Sequence, residues 1–207
     1  AYAQCKMLVE RDVGAMADAG FSPTFLRNAT AFGASPRIRF DIVLNNLAGL
    51  AWTTGRITMT SDGMPWRPLV HVRDISAAVA ATLEAPRDAV AGQILNVGDN
   101  DNNYRVREIA EAVGEAFPNC RIEFGNNAGD NRSYRVCFDK IHRVLPGFRC
   151  EWTALKGARQ MRSLFEHIGM DEGAFNAPPF TRLRQLQHLL ATHQINPDFY
   201  WRSHDLS

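Results

Sequence analysis

Tyr2 and Lys6 are residues whose types and spacing could support catalysis. The Y-x-x-x-K spacing puts both side chains on one face of a helix, about one turn apart. A cation near a phenol favours the phenolate, and a phenolate can remove a proton from a substrate hydroxyl. The same spacing also arises by chance in helices that carry a surface tyrosine and a solvated lysine, so the pair needs support from the rest of the sequence.

The elements that must position this pair alternate between helical and extended patterns. Apolar and small residues recur at helical spacing from Ala1 to Gly20, and an extended segment follows from Pro23 to Phe32. Asp41 and Asp74 stand where the N-caps of two further helices are expected. Strand-like patterns follow at 56–60, 67–72, 93–98 and 121–124, and helical ones at 41–55, 74–83, 106–117, 153–169 and 181–190. This alternation favours an α/β fold with at least some parallel strand pairing.

The composition is that of a globular chain with almost no net charge. The 207 residues contain 23 Lys and Arg against 22 Asp and Glu, which gives a net charge of +1, and 45% of them are hydrophobic. Such a chain has no basic surplus with which to hold nucleic acid. It also has no apolar run of the roughly 20 residues that a membrane-spanning helix needs, so neither partner is expected.

The cysteines and histidines give no sign of a metal site. The four cysteines are far apart and form no C-x-x-C pair, which argues against a zinc site and against a disulfide-rich secreted scaffold. His188 and His193 have a poor spacing for metal ligands. We therefore expect no metal and a reducing, cytoplasmic location.

Four further motifs follow the Y-x-x-x-K pair: LRNATAFG at 26–33, DIVLNNLAG at 41–49, RPLVHVRDI at 67–75 and ILNVG at 94–98. In order and spacing, the five motifs together resemble the C-terminal half of the extended short-chain dehydrogenases/reductases, the NAD-dependent epimerases and dehydratases of nucleotide sugars. The resemblance runs from Tyr2 to about Phe148 and is weaker beyond it. It implies the C-terminal portion of a Rossmann-like NAD(P)-binding fold together with a smaller α/β substrate-binding lobe.

The resemblance implies roles for the residues near the start of the chain. Tyr2 matches the catalytic acid/base of the family, and Lys6 matches the lysine that binds the nicotinamide ribose of NAD, with NADP as a possible replacement. The loop that passes the nicotinamide matches Arg27, Asn28 and Ala29. Thr30 takes a substrate-binding position where many relatives have Asn, and it lacks the paired donor and acceptor of an amide.

The resemblance also assigns arginines to a nucleotide-diphosphate sugar. Arg67 and Arg132 match residues that grip the diphosphate in relatives, a role that suits the planar guanidinium group. Arg37 and Arg39 stand where the substrate loop of the family enters a helix. Two interpretations stay open for them: a phosphate or sugar contact, or a solvated loop face.

Other polar residues are predicted to be structural. His71 lies within an apolar strand, and we expect a core histidine with satisfied hydrogen bonds rather than a catalyst. Asp74 is expected to cap a helix. Asn45 and Asn46 are expected to be polar groups on a helix surface.

The predicted organisation is a partial unit of the family in three parts. Residues 1–33 end the dinucleotide-binding fold, 34–170 form mainly the substrate-binding lobe with a returning core strand and helix, and 171–207 form a helical extension. None of the 15 glycines forms the G-x-x-G-x-x-G turn that cradles the pyrophosphate in this family. We therefore expect the C-terminal part of a longer enzyme, inactive alone and a homodimer when whole. The alternative is a non-catalytic module that binds nucleotide sugars or another protein.

Overall fold

The computed structural model describes residues 2–127 and 132–202. The helices are α1 (Tyr2–Gly14), α2 (Val43–Thr54), α3 (Val72–Glu84), α4 (Arg87–Val90), α5 (Val106–Ala116), α6 (Asp139–Val144), α7 (Ala154–Ile168), α8 (Glu172–Asn176) and α9 (Arg182–Ala191). The strands are β1 (Phe25–Asn28), β2 (Thr30–Phe32), β3 (Arg56–Ser61), β4 (Trp66–His71), β5 (Ile94–Val97), β6 (Asn103–Arg105) and β7 (Arg121–Asn127). Short 3-10 turns occur at Asn100–Asn102 and Pro178–Phe180.

The strands form three small sheets in which most pairs are parallel. β1 pairs with β5 and β3 pairs with β7, both in parallel. β4 is the central strand of the third sheet, parallel to β2 and antiparallel to β6. The fold is therefore α/β, as the alternating patterns predict. β3 and β4 follow each other in sequence, yet they belong to different sheets.

Two hydrophobic clusters form the core. The larger one lies between α2, α5 and α7 and contains Leu44, Val113 and Phe165. The smaller one is formed mainly by β5, α3 and α6. β4 joins them, because Leu69 belongs to the first cluster and its neighbour Val70 to the second, as expected for side chains that alternate across a strand.

Helix α1 is shorter than its pattern predicts. It ends at Gly14 instead of Gly20. The Asp18 carboxylate accepts hydrogen bonds from the amides of Gly20 and Phe21, both at 2.7 Å, and so stabilises a turn where the helix was expected to continue. A short polar side chain competes with the helix for backbone amides at this point.

The two predicted aspartate caps are wrong. α2 begins after Ile42, and the carboxylate of Asp41 binds Arg39 instead of a helix amide. α3 is capped by His71, while Asp74 lies in its first turn and accepts hydrogen bonds from the amides of Glu151 and Trp152 at 3.0 and 3.3 Å. In both cases the carboxylate binds a group outside the helix instead of a helix amide.

The segment after α7 packs against the same core. Phe175 of α8 is buried in the larger cluster, and the Phe40 amide donates to the Phe180 carbonyl at 2.9 Å. The Phe40 ring lies 4.9 and 5.3 Å from the rings of these two phenylalanines. The C-terminal segment is thereby fixed next to the loop that follows β2. Within residues 2–127 and 132–202, no helix has the length and apolarity needed to cross a membrane.

Candidate functional site

Helix α1 lies alongside β1 and runs in the opposite direction. Near the end of the helix Gly14 faces the ring of Phe25, and one turn earlier Glu10 binds Arg27. One helical turn advances about 5.4 Å and two strand residues about 6.6 Å. Each turn of α1 therefore lies beside about two residues of β1, and the first turns of α1 extend past the carboxyl end of β1.

Tyr2 and Lys6 continue the stripe of Glu10 and Gly14 on α1. This brings both side chains to the carboxyl end of a parallel strand, which is the edge at which open α/β sheets bind ligands. The Lys6 ammonium lies 5.6 Å from the centroid of the Tyr2 ring, over its face. Tyr2 is 77% exposed, and no residue of α1 is buried. The pair is thus assembled and open to a ligand.

Arg27 anchors α1 to β1, a role that the sequence did not predict. Its Nε donates to one carboxylate oxygen of Glu10 at 2.7 Å and its Nη2 to the other at 2.5 Å. This bidentate hydrogen bond lowers the pKa of Glu10 and raises that of Arg27, against a smaller opposing effect of desolvation on each. The guanidinium therefore joins the two elements on which the candidate site is built.

The predicted strand from Pro23 to Phe32 is divided at Ala29. The Ala29 amide donates to the Val97 carbonyl at 3.1 Å, after which Thr30 opens β2 and pairs with a different sheet. Asn28, the last residue of β1, is exposed, and Thr30 is half-buried. The break leaves one polar side chain open at the carboxyl end of β1 and another at the start of β2.

Residues 33–41 follow β2 and carry Arg37 and Arg39; we call them the arginine loop. The Gly33 amide donates to Asn45 Oδ1 at 3.0 Å, and Asn45 Nδ2 donates to the Arg39 carbonyl at 3.0 Å. Asn45 is buried on α2, so its prediction as a helix-surface group is wrong. Its side chain ties the start of the loop to a point near the end.

Gln160 of α7 holds the same loop through a second set of hydrogen bonds. Its Oε1 accepts from the Ala34 amide at 3.0 Å and lies 2.8 Å from His71 Nε2. Since His71 Nδ1 accepts from the Arg73 amide, Nε2 carries the proton and donates to Gln160. The His71 ring is fully buried and stacks on Trp152 at 4.0 Å. Burial lowers the pKa of His71, which is a neutral core histidine as the sequence predicts.

Within the arginine loop, Arg39 forms an ion pair with Asp41. Its Nε and Nη2 donate to the carboxylate of Asp41 at 2.9 and 2.6 Å. That bond raises the pKa of Arg39 against the opposing effect of burial, and the Tyr2 phenol adds a smaller electrostatic contribution in the same direction. The phenol is therefore within electrostatic range of the guanidinium.

Arg37 and Arg39 line a cavity of about 410 Å³ between the arginine loop and the C-terminal segment. We call it the α9 cavity; its other lining residues are Pro179, Arg182, Gln185, Leu186 and Leu189. Both interpretations predicted for these arginines, a phosphate or sugar contact and a solvated loop face, are compatible with this position. The contribution of α9 was missed, because nothing in its sequence indicates which loop it packs against.

Arg67 and Arg132 meet at the start of β4. Arg67 Nη1 donates to the carbonyl of Trp66 at 2.8 Å and to that of Arg132, and its guanidinium lies 5.9 Å from the centroid of the Tyr134 ring. Two more arginines lie over the Trp66 ring at 4.8 and 5.2 Å. We call this set the basic aromatic cluster: Trp66, Arg67, Arg105, Arg132, Tyr134 and Arg135. Guanidinium groups beside aromatic rings can bind an anion that is attached to a planar group.

Within the described residues, no group of three or more His, Cys, Asp or Glu side chains is arranged to hold a metal ion. The cysteines form no disulfide there. Burial raises the pKa of the Cys150 thiol to about 12, so this cysteine is unreactive near neutral pH. Among the described residues, the candidates for catalysis or ligand binding are thus the Tyr2 and Lys6 pair and the arginines.

Comparison with known proteins gives one family match and several similar structures. Residues 1–98 match the NAD-dependent epimerase/dehydratase family. RMD from Pseudomonas aeruginosa, solved in complex with NADPH, is 19% identical with a TM-score of 0.66, and the match covers 81% of this chain and 56% of RMD. UDP-glucose 4-epimerase from Thermotoga maritima, solved with UDP-glucose, is 19% identical with a TM-score of 0.66, covering 82% and 54% of the two chains.

A third similar structure is TunA, an NAD-dependent NDP-hexosamine 5,6-dehydratase involved in tunicamycin biosynthesis. It is 16% identical with a TM-score of 0.66, and the match covers 80% of this chain and 54% of TunA. At these identities the likeness concerns the fold, and the chain spans about half the length of the structures that it matches. The family match thus covers residues 1–98, and the chain has an α/β fold similar to that of about half of each of these structures.

Proposed function

We propose that the chain is the C-terminal part of an NAD-dependent epimerase or dehydratase that acts on a nucleotide-diphosphate sugar. The observation that supports the proposal is that α1, which carries Tyr2 and Lys6 on one face, is bound to β1 through Glu10 and Arg27, and that the Tyr2 phenol acts electrostatically on Arg39. A general acid/base and a cationic loop then face the same space. In that space a sugar hydroxyl can lose and regain a proton.

The carboxyl end of β1 fits a dinucleotide. Asn28 and Lys6 are exposed, and no residue of α1 is buried. We propose that Lys6 holds the nicotinamide ribose, with Arg27, Asn28 and Ala29 passing along the cofactor. NAD supplies a hydride acceptor when it is bound; NADP is the alternative cofactor, supported by the NADPH complex of the P. aeruginosa relative.

The residues of this chain divide the work between proton transfer and binding. We propose that the Tyr2 oxygen takes the proton of the reacting hydroxyl and that the Lys6 ammonium favours the resulting phenolate. The Thr30 hydroxyl can donate or accept a hydrogen bond with the sugar. Arg67 and Arg132, which the fold brings together in the basic aromatic cluster, would hold the diphosphate.

The proposal includes the organisation of the chain. Residues 1–33 would complete a dinucleotide-binding fold, 34–170 would form mainly the substrate-binding lobe, and 171–207 would be an extension that lines the substrate cavity through α9. The exposed apolar side chains of α1, such as Met7 and Val9, are available to the partner of a homodimer. Light scattering on the full-length gene product tests the dimer.

Replacement of Tyr2 by Phe in the full-length gene product tests the catalytic role. We expect Tyr2→Phe to lower kcat by about 10²–10⁴-fold for the nucleotide sugar that the wild type converts, with little change in its binding, because only the proton-transferring oxygen is lost. Substrates to assay with NAD are UDP-glucose, dTDP-glucose and UDP-glucuronate. Tyr200→Phe is the matched control, since Tyr200 is also a largely exposed tyrosine, 72% exposed, but lies at the other end of the chain.

Two outcomes would contradict the proposal. Equal turnover by the Tyr2→Phe and Tyr200→Phe variants would remove Tyr2 from the chemistry. Tight binding of these nucleotide sugars without any conversion in the presence of NAD would favour the alternative, a non-catalytic binding module built on the basic aromatic cluster.

A further inference from the structure

Among the described residues, the α9 cavity carries more positive charge than the neighbouring carboxylates neutralise. Arg37, Arg39 and Arg182 line it, and Asp41 pairs with Arg39. Asp41 is also close enough to Arg182 for electrostatic attraction. Both arginines lower the pKa of the Asp41 carboxyl, Arg39 by more than Arg182. One carboxylate facing three guanidinium groups leaves two positive charges. A cavity of this size with such an excess suits a ligand that carries a negative charge.

Gln185 adds a polar atom that is shielded from solvent to the lining of the cavity. Its Oε1 atom is shielded from solvent, and none of residues 2–127 and 132–202 donates a hydrogen bond to it. A shielded amide oxygen without a donor costs free energy, which a ligand hydroxyl or N–H group would recover. The remaining lining is apolar: Pro179, Leu186 and Leu189. The cavity is thus suited to a ligand that combines an anionic group, a hydrogen-bond donor and a carbon skeleton.

The position of the cavity indicates which part of a substrate enters it. Arg39 lines the cavity and is within electrostatic range of Tyr2, the proposed acid/base. A general base must lie within hydrogen-bond reach of the hydroxyl that reacts. With Tyr2 as that base, the group that enters the cavity would be part of the sugar. Arg67 and Arg132, the residues proposed for the diphosphate, do not line the cavity.

We propose that the α9 cavity binds a carboxylate on the sugar, so that the substrate is an acidic nucleotide sugar, with Arg182 and Gln185 of α9 as specificity-determining residues. This inference rests on the proposed function and names its substrate class. Arg182 and Arg37 hold the carboxylate, and the Gln185 Oε1 accepts a hydrogen bond from an adjacent sugar hydroxyl. A neutral sugar leaves the two positive charges without a partner.

Calorimetric titration of the full-length gene product with UDP-glucuronate, UDP-glucose and UDP tests the inference. We expect UDP-glucuronate to bind roughly ten-fold or more tightly than UDP-glucose, because it adds a charge-assisted hydrogen bond. Arg182→Ala should remove that advantage and leave the affinity for UDP-glucose nearly unchanged. Gln185→Glu keeps the side-chain size and adds a negative charge, so it should reverse the preference in favour of UDP-glucose.

Arg184→Ala is the matched control. Arg184 is two residues further along the same helix and exposed, but it lines a different cavity and its guanidinium donates to the Asn176 carbonyl. An equal loss in the Arg184→Ala and Arg182→Ala variants would show a general charge effect and overturn the inference. Equal weakening of all three ligands by Arg182→Ala would place the diphosphate in the cavity, with the same consequence.

The two proposals fail in distinguishable ways. Equal affinity of the wild type for UDP-glucose and UDP-glucuronate overturns the acidic-sugar inference and leaves the proposed function in place. Failure of the wild type to bind either nucleotide sugar overturns both.

Discussion

Helix α1 and the arginine loop each carry residues of the candidate site, but they are attached to the rest of the molecule in different ways. α1 has no buried residue and is joined to β1 by the exposed Glu10 and Arg27 pair and by the contact of Gly14 with Phe25. The arginine loop is fixed from inside the core by Asn45 and by the linked side chains of Gln160 and His71.

This difference separates the proposed chemistry from the proposed binding. The arginine loop is positioned by hydrogen bonds that this chain supplies from α2, α7 and β4. Tyr2 and Lys6 are on a helix that is joined to β1 by one ion pair and one glycine contact, and ion pairs near the surface contribute little to stability. We therefore expect the arginine loop to be the more rigid of the two regions. Further contacts should increase the stability of α1 more than that of the loop.

Gly33→Ala should produce the largest effect, because the added Cβ would clash with the buried His71 ring beneath the arginine loop. Gly33 has a φ of 105°, and a Cβ there would be 2.1 Å from His71 Nε2. The strained backbone and the clash with a buried ring should cost about 3 kcal/mol or more of the free energy of unfolding, measured by urea denaturation.

Gly147→Ala is the control for this substitution. Nothing lies within 4 Å of a Cβ at Gly147, so the free energy of unfolding should change by no more than about 0.5 kcal/mol. Similar stabilities of the two variants would show that the contact between Gly33 and His71 does not hold the loop.

The dependence of the free energy of unfolding on pH should give an effect of intermediate size, and it tests the buried support of the arginine loop. Burial lowers the pKa of His71, so between its lowered pKa and the usual value of about 6.5 the unfolded chain binds a proton that the folded chain does not. The free energy of unfolding should therefore fall as the pH drops below about 7, by at most about 1.4 kcal/mol per pH unit from this group.

His71→Asn isolates this effect, since asparagine can still cap α3 and does not titrate. Urea denaturation at about pH 7.5 and about pH 5.5 should show a smaller loss in the variant than in the wild type. Burial raises the pKa of Asp74, which acts in the opposite direction in both proteins and so cancels in the difference. The same pH dependence in both proteins would contradict the buried, neutral state of His71.

Arg27→Ala should have the smallest effect on stability and the clearest effect on α1. Loss of the exposed ion pair with Glu10 should cost about 0.2–1 kcal/mol. Amide hydrogen exchange should increase along α1 and stay unchanged in the arginine loop. Arg11→Ala breaks the neighbouring pair with Asp12 within the helix and serves as the control. Equal exchange in α1 for the wild type and Arg27→Ala would show that other contacts hold this helix.

The sequence predicts those features that depend on neighbours a few residues apart. Helical spacing puts Tyr2 and Lys6 on one face, and an apolar strand predicts a buried His71, both as observed. The role of Gln160 could not be predicted, because Ala34, which it binds, is 126 residues away in sequence. The caps expected at Asp41 and Asp74 failed for a similar reason: each carboxylate has a partner outside the helix.

The sequence by itself determined the alternating α/β pattern, the Y-x-x-x-K pair and the family resemblance, since each depends on local order and spacing. Only the tertiary structure decided that α9 closes a cavity over Arg37 and Arg39 and that Arg67 and Arg132 meet beside Tyr134. The physical reason is that these groups are brought together by the packing of distant segments around a shared core. Burial in that core then decides which polar groups pair with each other and which, like Gln185 Oε1, stay open to a ligand.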